Sequence, residues 1–397
     1  MSLTGIDPQE ISGIYQNISV KLVKKPLANS RLVRGKEYPI AFDLLVEGDG
    51  EKSFVAINDF FSYLGESGEL LRLVTNHGLV IIQGLASTNP ETYSQIVNHL
   101  FQAQKYQEFD QVGLLATREK IKESVSSVGN DDALGKNVNK LHSHQEFSRY
   151  LEYPHILTFF AQQASKLSGG ESTTTHATEL FDAVNSKYPE FIKDLYEKQG
   201  NHVYQKFSYR ISPDSKFQIS WTDEGAFGKY ITQDEKDKGD LESMKTKATK
   251  IAHERVSKDI EFDENNDLIV HQRTSIVNLH PITGLPLIFS SLPTYYSGYY
   301  NSKQKGDNPK LPPLTYGNGE PIPEKYLDFL LEQSVKLEYT HRFKDGDILF
   351  LDNFAVYHGR NPYTIGDRKI LASFWEHESF QRKPYRPSSW EALVTDV

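Results

Sequence analysis

The sequence predicts a mainly β protein with inserted helices and a double-stranded β-helix, or jelly roll, at its core. Many short apolar segments bounded by turn residues alternate with stretches of helical periodicity. The candidate metal ligands His144 and Glu146 lie far from the third, His358, in the sequence. Residues from distant segments commonly form a binding site together at the open end of a β-barrel. The chain has 397 residues, of which 38% are hydrophobic and 12% aromatic. This length and composition are sufficient to form the core of one large β domain. We expect a single domain over residues 1–397, with residues 1–65 as an extension that wraps the core.

The first part of the chain combines short extended pieces with helices. Residues 18–23 predict a strand among turns that contain Pro and Gly. A helical stretch begins at residues 70–74, and the glycine-bounded run at 78–84 predicts a strand. Residues 89–106 start with a capping Asn89 and a proline and carry apolar residues at helical spacing. This pattern predicts an amphipathic helix.

The middle of the chain approaches the candidate metal residues through a polar segment. Residues 107–140 predict a mobile loop that acts as a lid. The apolar run at 156–161 predicts a buried strand, and residues 175–200 predict two helices divided at Pro189. The segment 232–259 is heavily charged, and its run at residues 234–238 predicts a solvated helix face or loop.

The last part of the chain predicts strands and one further helix. Residues 268–279 alternate in part and are expected to pair with residues 287–291, while residues 324–337 predict a helix. A turn at 344–347 leads into a strand that ends shortly before His358. A second strand follows at 368–375, with Arg368 at its start. We expect these two strands to be adjacent, which would bring His358 and Arg368 together.

Composition excludes several classes of function. The net charge of -9 and the pI near 5.8 give no basis for binding nucleic acid, and an acidic substrate would need a local basic pocket. The absence of cysteine excludes disulfides, thiolate zinc sites and cysteine nucleophiles. No apolar run reaches the roughly 18 residues of a membrane-spanning helix. The N-terminus also lacks the pattern of a targeting segment, so we expect a cytoplasmic protein.

The most informative residues are His144 and Glu146, which lie two positions apart, and the distant His358. Alternation along a strand puts His144 and Glu146 on one face, where both can bind one metal ion. Two imidazoles and one carboxylate leave positions open for a chelating cosubstrate and O2, as in iron(II) oxygenases. Arg368 lies ten residues beyond His358, and its planar guanidinium suits a carboxylate such as the distal end of 2-oxoglutarate.

The same segment leaves an alternative ligand set open. His142 alternates with His144 and Glu146, and a His-x-His-x-Glu run would also serve a metal-dependent cupin-type enzyme that does not use 2-oxoglutarate. A non-catalytic β-sandwich binding protein is a second alternative, in which His358 ends a strand and Arg368 forms a surface ion pair.

These residues resemble the taurine dioxygenase and clavaminate synthase-like family of iron(II), 2-oxoglutarate-dependent oxygenases. The segments that carry the resemblance are Gly78–Gly84, Gly169-Gly170-Glu171-Ser172, His280-Pro281-Ile282-Thr283-Gly284, and Asp352-Asn353 through His358-Gly359-Arg360 to Arg368. The resemblance implies a jelly-roll oxygenase that uses Fe(II), 2-oxoglutarate and O2. It further implies iron binding by His144, Glu146 and His358, with Arg368 and Ser172 contacting 2-oxoglutarate.

Three residues depart from the pattern of taurine dioxygenase itself. Glu146 replaces an aspartate, Ser172 replaces a threonine, and Ala372 stands where the family often carries another arginine. These departures argue against taurine as the substrate. By analogy we expect the enzyme to hydroxylate, desaturate or cyclise a small carboxylated metabolite, such as an amino acid derivative, with release of succinate and CO2.

Candidate substrate contacts are residues near the family-like segments that can bind carboxylates or stack on a ligand. They are Arg210, Trp221, Arg273, Tyr295, Tyr296 and Arg360. We expect a small-molecule partner and neither nucleic acid nor membrane, and the sequence does not indicate an oligomeric state.

Overall fold

The computed structural model describes residues 7–48, 50–115, 118–128, 139–164, 168–212, 219–304, 314–365 and 368–378. The strands are, in chain order, β1 (Glu10–Tyr15), β2 (Ile18–Lys25), β3 (Arg31–Val33), β4 (Lys36–Tyr38), β5 (Ile40–Val46), β6 (Leu79–Gln83), β7 (Gln107–Glu108), β8 (Lys120–Lys122), β9 (Val125–Ser127), β10 (Leu141–His144), β11 (Ile156–Gln163), β12 (Ser168–Gly169), β13 (Ser172–His176), β14 (Asn201–Phe207), β15 (Asp259–Phe262), β16 (Leu268–Thr274), β17 (Val277–Leu279), β18 (Pro286–Ile288), β19 (Thr315–Tyr316), β20 (Tyr339–His341), β21 (Ile348–Asp352), β22 (Val356–Arg360), β23 (Tyr363–Ile365) and β24 (Lys369–Glu376).

The helices of the described residues are α1 (Glu51–Ser67), α2 (Glu69–His77), α3 (Pro90–Gln102), α4 (Ala177–Lys187), α5 (Pro189–Glu197), α6 (Gln233–Lys238), α7 (Leu241–Arg255), α8 (Leu292–Gln304) and α9 (Glu324–Lys336), with one π-helical turn at Glu224–Gly228. Within these same residues, none of the helices combines the length and apolarity needed to cross a membrane.

A ten-stranded sheet is the largest element and is called the main sheet below. Its order is β1-β2-β5-β6-β21-β11-β24-β9-β8, with β7 paired to β24. Alternate residues of its central strands face opposite sides, as the pleat requires. Phe160 and Phe350 pack with α1, α2 and α3 on one side, whereas Leu157 and Leu351 pack on the other side with Val356 of β22.

A four-stranded sheet of order β10-β22-β13-β20 covers that second side and is called the site sheet. The two sheets enclose an apolar layer that includes Leu349 and Phe374 of the main sheet and Tyr339 of the site sheet. This arrangement is the double-stranded β-helix core, with helices inserted between strands. The fold class predicted from the sequence is therefore confirmed.

The N-terminal residues take part in the main sheet. Strands β1, β2 and β5 continue it by hydrogen bonding, and β5 runs parallel to β6. Helix α1 packs its apolar side, including Phe60 and Leu64, into the core beside α3. The sequence analysis does not predict α1, because the apolar side of this helix is recognisable only when the surface that it covers is known.

Two other local predictions differ from the structure, and one is confirmed. Residues 107–128 contain β7, β8 and β9, so this part of the expected loop is short β structure, while residues 116–117 and 129–138 of it lie outside the described residues. The charged run 234–238 lies in α6, which has no buried residue, so the predicted solvated helix is confirmed there. The following helix, α7, buries Met244, Ala248, Ile251 and Ala252. Only β17 pairs with β18, whereas β16 pairs with β14 and β15 in a separate four-stranded sheet.

Candidate metal centre

The site sheet brings His144 and His358 face to face. They are register partners of β10 and β22, and their ring centroids are 4.3 Å apart. Glu146 reaches the same point: its Oε2 lies 3.7 Å from Nε2 of His144 and 3.5 Å from Nε2 of His358. One ligand atom from each of the three residues lies within 4.8 Å of the others. This cluster has the spacing and donor types of a facial two-histidine, one-carboxylate metal site.

Glu146 occupies this place from a turn and not from the strand that the sequence predicted. Strand β10 ends at His144. The Glu146 N–H donates to Oδ1 of Asn353 at 2.9 Å, and Nδ2 of Asn353 donates to the Glu146 carbonyl at 3.0 Å. Gln145 adds hydrogen bonds from Nε2 to the carbonyls of Asn353 and Phe354 at 2.8 and 2.7 Å. The turn is thereby fixed to the segment that leads into β22.

The charge states of the three residues suit a metal ion. Burial, and then His358, lowers the pKa of His144 to about 4, so His144 is neutral at pH 7. Its Nδ1 lies 3.1 Å from the His142 carbonyl; since a carbonyl only accepts, Nδ1 carries the proton and Nε2 presents a lone pair. Burial alone would raise the pKa of Glu146, but Arg118 and then His358 hold it well below its usual range. The carboxylate is therefore ionised.

Arg118 is a neighbour of the metal cluster that the sequence did not reveal. Its Nη2 donates to Oε1 of Glu146 at 2.6 Å, and Oε1 is the oxygen that faces away from the two histidines. The guanidinium also packs 5.8 Å from the Phe147 ring centroid and 4.9 Å from that of Phe374. No periodicity marks Arg118 in its polar segment, so only the folded chain identifies it.

His142 does not belong to the cluster, and the backbone explains why. The register of β10 and β22 shifts between Leu141 and His144, which pair with Arg360 and His358 respectively. One extra residue in β10 breaks the alternation on which the His142 alternative depended. Accordingly Leu141 and His144 line the cavity beside the cluster, and His142 does not.

Arg368 and Arg360 line the same cavity as the metal cluster. The prediction that the strand before His358 and the strand after Arg368 are adjacent is wrong, because β11 lies between β21 and β24 in the main sheet. His358 belongs to β22 of the site sheet and Arg368 immediately precedes β24 of the main sheet, and both residues line the cavity. Burial, and then Arg360, lowers the pKa of Arg368 to about 9, so its guanidinium is still charged at pH 7. Ser172 pairs with Arg360 in register and also lines the cavity.

Most of the other candidate substrate contacts lie away from this cavity. Trp221 is fully buried and donates from Nε1 to the Asn266 carbonyl at 2.8 Å. Tyr296 is a core residue whose hydroxyl donates to Asp328 at 2.6 Å. Arg273 is exposed and pairs with Asp259.

Arg210 and Tyr295 complete the set of candidates. Arg210 is exposed beside the ring of Tyr209. Tyr295 is not a lining residue, but its ring centroid is 4.8 Å from the guanidinium carbon of Arg149, which does line the cavity. Of the six candidates only Arg360 reaches the cavity wall directly.

The cavity has a volume of about 610 Å³, within the usual range for small-ligand sites. Among the described residues, four arginines line it, namely Arg118, Arg149, Arg360 and Arg368. The lining acids in the same part of the chain are Glu146 and the exposed Glu119. An acidic protein thus contains the local basic pocket that an acidic substrate requires.

The chain is similar to several known proteins. The family model described as taurine catabolism dioxygenase TauD, TfdA family matches residues 51–375. The dapdiamide synthesis protein DdaC of Enterobacter agglomerans is 24% identical over 326 residues, covering 80% of this chain and 87% of DdaC. A clavaminate synthase-like protein of Arabidopsis thaliana is 24% identical over 313 residues, covering 76% of this chain and 82% of that protein. The solved structure of PvcB from Pseudomonas aeruginosa superposes with a TM-score of 0.45 at 14% identity, covering 90% of this chain and 91% of PvcB.

Proposed function

We propose a reaction for this chain from one premise, that it belongs to the taurine catabolism dioxygenase TauD, TfdA family. It is accordingly an iron(II)- and 2-oxoglutarate-dependent dioxygenase, with Fe(II), 2-oxoglutarate and O2 as its cofactor and cosubstrates. Bound iron(II) supplies the activation of O2, which is coupled to conversion of 2-oxoglutarate to succinate and CO2. The residues that would hold the iron are His144, Glu146 and His358. The observation that carries this assignment is the convergence of their three ligand atoms within 4.8 Å.

Each ligand has a support that fixes its orientation. His144 donates from Nδ1 to a carbonyl, which directs Nε2 toward the cluster. Glu146 keeps Oε1 on Arg118 and Oε2 near both histidines. The His358 ring packs against Phe159 of the main sheet, with centroids 5.3 Å apart. These contacts hold the ligands on the wall of the cavity.

Arg368 is the proposed partner of the distal carboxylate of 2-oxoglutarate, and Ser172 the proposed hydroxyl contact. The Arg368 side chain is buried, and its Nε donates to the Gly170 carbonyl at 3.2 Å. Neither Nη group donates to a residue that the structure describes, and the two together suit a bidentate contact. Arg360 lies beside it and adds positive charge, in a protein where Ala372 provides none. The cosubstrate would therefore connect the site sheet with the main sheet.

The primary substrate in this proposal is a small carboxylated metabolite, such as an amino acid derivative, that is hydroxylated, desaturated or cyclised. Support comes from the basic lining of the cavity and from the similarity to DdaC, which takes part in dapdiamide synthesis by its name. A cupin-type enzyme with His142 as a ligand is disfavoured, because His142 does not line the cavity. A single domain over residues 1–397 and a cytoplasmic location also remain part of the proposal.

The test is anaerobic titration of the apoprotein with iron(II) and then 2-oxoglutarate, followed by the visible charge-transfer band of the chelate. We expect a band in the native protein that weakens strongly in Arg368→Ala. The band of Arg368→Lys should have an intensity between those of the native protein and Arg368→Ala, because lysine keeps the positive charge but lacks the planar guanidinium. Arg210→Gln, an exposed arginine outside the cavity, is the matched control and should behave as the native protein. Bound iron without a band in the native protein would reject the 2-oxoglutarate assignment.

A further inference from the structure

The four arginines of the cavity are not equivalent. Arg118 donates to Glu146, so its charge is matched by a carboxylate. Arg360 lies close enough to Arg368 to lower the pKa of its guanidinium. Among the described residues that line the cavity, Arg149 is the remaining arginine.

Arg149 follows the candidate ligand Glu146 by three residues and lines the same cavity. The chain continues from Glu146 through a tight turn, in which Tyr150 N–H donates to the Phe147 carbonyl at 2.9 Å. Arg149 is therefore held at a short, fixed distance along the chain from a metal ligand.

Neutral groups hold the Arg149 guanidinium. Its Nη1 donates to Oε1 of Gln205 at 2.9 Å and to Oε1 of Gln272 at 3.0 Å. The ring centroids of Tyr295 and Tyr150 lie 4.8 and 5.4 Å from its guanidinium carbon. These contacts orient the cation without neutralising it. Among the described residues, no carboxylate forms an ion pair with Arg149.

Two nitrogens of this side chain remain for a ligand. Both hydrogen bonds use Nη1, and neither Nε nor Nη2 donates to any residue that the structure describes. Nε and Nη2 form one edge of the guanidinium, and such an edge matches the two oxygens of a carboxylate. A buried or half-buried cation without a counter-charge is costly unless a ligand supplies one.

We propose that Arg149 binds a carboxylate of the primary substrate and so selects small carboxylates, a role that rests on the proposed function of the same cavity. The carboxylate pairs with Nε and Nη2, while the rest of the substrate extends toward the metal cluster along the cavity wall that includes Phe147 and Tyr150. Gln205 of β14 and Gln272 of β16 act as positioning residues for the guanidinium.

The test uses enzyme loaded with iron(II) and 2-oxoglutarate without O2, and follows the chelate band as ligands are added. The probes are the common L-amino acids, each compared with its own primary amide, which has the same shape without the charge. We expect at least one acid to shift the band and to bind at least about tenfold more tightly than its amide. In Arg149→Gln the acid should bind about ten- to a hundredfold more weakly, to the level of the amide, while amide binding is unchanged.

Arg273→Gln is the matched control, because Arg273 is an exposed arginine on β16 next to Gln272 and outside the cavity. The control should bind the acid as the native enzyme does. Absence of the chelate band from the native protein would reject the proposed function itself. With the band present, three results each reject the role of Arg149 alone: no acid shifts the band, acid and amide bind equally, or Arg149→Gln weakens both alike. The last result would instead indicate that Arg149 only supports the fold.

Discussion

Arg118 shows how one residue outside the ligand set can determine the geometry of the ligands. Its Nη2 holds Oε1 of Glu146, and this leaves Oε2 as the oxygen near both histidines. Two aromatic rings and Oε1 of Gln111, at 2.6 Å, hold the guanidinium itself. A glutamate is one methylene longer than an aspartate and has more rotamers. The hydrogen bond from Arg118 is therefore more important for orienting Glu146 than it would be for an aspartate at this position.

We predict that Arg118→Gln weakens iron(II) binding by about ten- to a hundredfold, the usual effect of removing a partner of a metal ligand. The reason is that Glu146 loses both the hydrogen bond that orients it and the charge that keeps it ionised. Anaerobic titration calorimetry with iron(II) measures the effect, with Arg210→Gln as the control. Native-like iron affinity in Arg118→Gln would contradict the proposed support.

At the scale of single elements, the bulge in β10 decides which histidine reaches the cluster. Gly359 of β22 makes room for it, because a Cβ there would lie 2.5 Å from the Leu141 carbonyl oxygen and 2.8 Å from Oγ1 of Thr173. The glycine between His358 and Arg360 is thus explained by the close approach of a neighbouring strand.

Gly359→Ala should therefore displace β10 from β22 and weaken iron(II) binding at least about tenfold, since His144 lies at the end of β10. The overpacking should also lower the free energy of unfolding by about 1–3 kcal/mol. Iron titration and denaturant unfolding measure the two effects. Gly225→Ala is the control, because the nearest atom to its Cβ would be an ordinary contact at 3.5 Å. Unchanged iron affinity in Gly359→Ala would show that β10 accommodates the methyl group.

Helix α4 depends on a buried histidine at its N-terminus. His176 caps the helix through Nδ1, which accepts from the Thr178 N–H at 3.2 Å. Burial, and then His280, lowers the pKa of His176 to about 3, against 6.5 for the ordinary group. Between these values the unfolded chain binds a proton that the folded chain does not. Its contribution therefore makes the protein less stable as the pH falls from 6.5 toward 3.

His176→Asn keeps a capping acceptor but does not titrate. We predict that the free energy of unfolding of this variant falls less steeply with decreasing pH, by up to about 1.4 kcal/mol per pH unit below pH 6.5. Denaturant unfolding at several pH values between 7 and 4 measures the slope. Parallel curves for the native protein and the variant would contradict the assignment, whatever the loss of stability at pH 7.

At the scale of the whole molecule, the site depends on both sheets. The three candidate ligands lie on or beside the site sheet, whereas Arg368 begins the last strand of the main sheet. Strands β1, β2 and β5 are hydrogen-bonded into that same main sheet. A protein built in this way is expected to unfold as one unit.

We predict a single calorimetric transition for the full chain, with equal calorimetric and van't Hoff enthalpies. Iron(II) and 2-oxoglutarate should each raise the midpoint temperature of this transition. A ligand present at a hundred times its Kd should add about 2.7 kcal/mol to the free energy of unfolding. In Arg368→Ala, iron should still stabilise the protein but 2-oxoglutarate should add little, because its contact with the main sheet is lost. Two separate transitions would contradict the single-domain proposal.

The sequence by itself determined the residue types of the site and the class of fold. His144, Glu146, His358 and Arg368 stood out because their chemistry and order are specific, and β11 and α3 were visible because periodicity is a local property. The net negative charge of the chain also indicated that an acidic substrate would require a local basic pocket, but the sequence did not identify the residues that form it.

Only the tertiary structure decided which side chains meet. Arg118 and Arg149 carry no local pattern, and they reach the cavity because distant strands pair in one particular register. The exclusion of His142 and the position of Arg368 across the barrel likewise follow from a bulge and from the pairing of sheets. Alternation fixes the face of a residue within one strand, but the partner of that face is set by long-range packing.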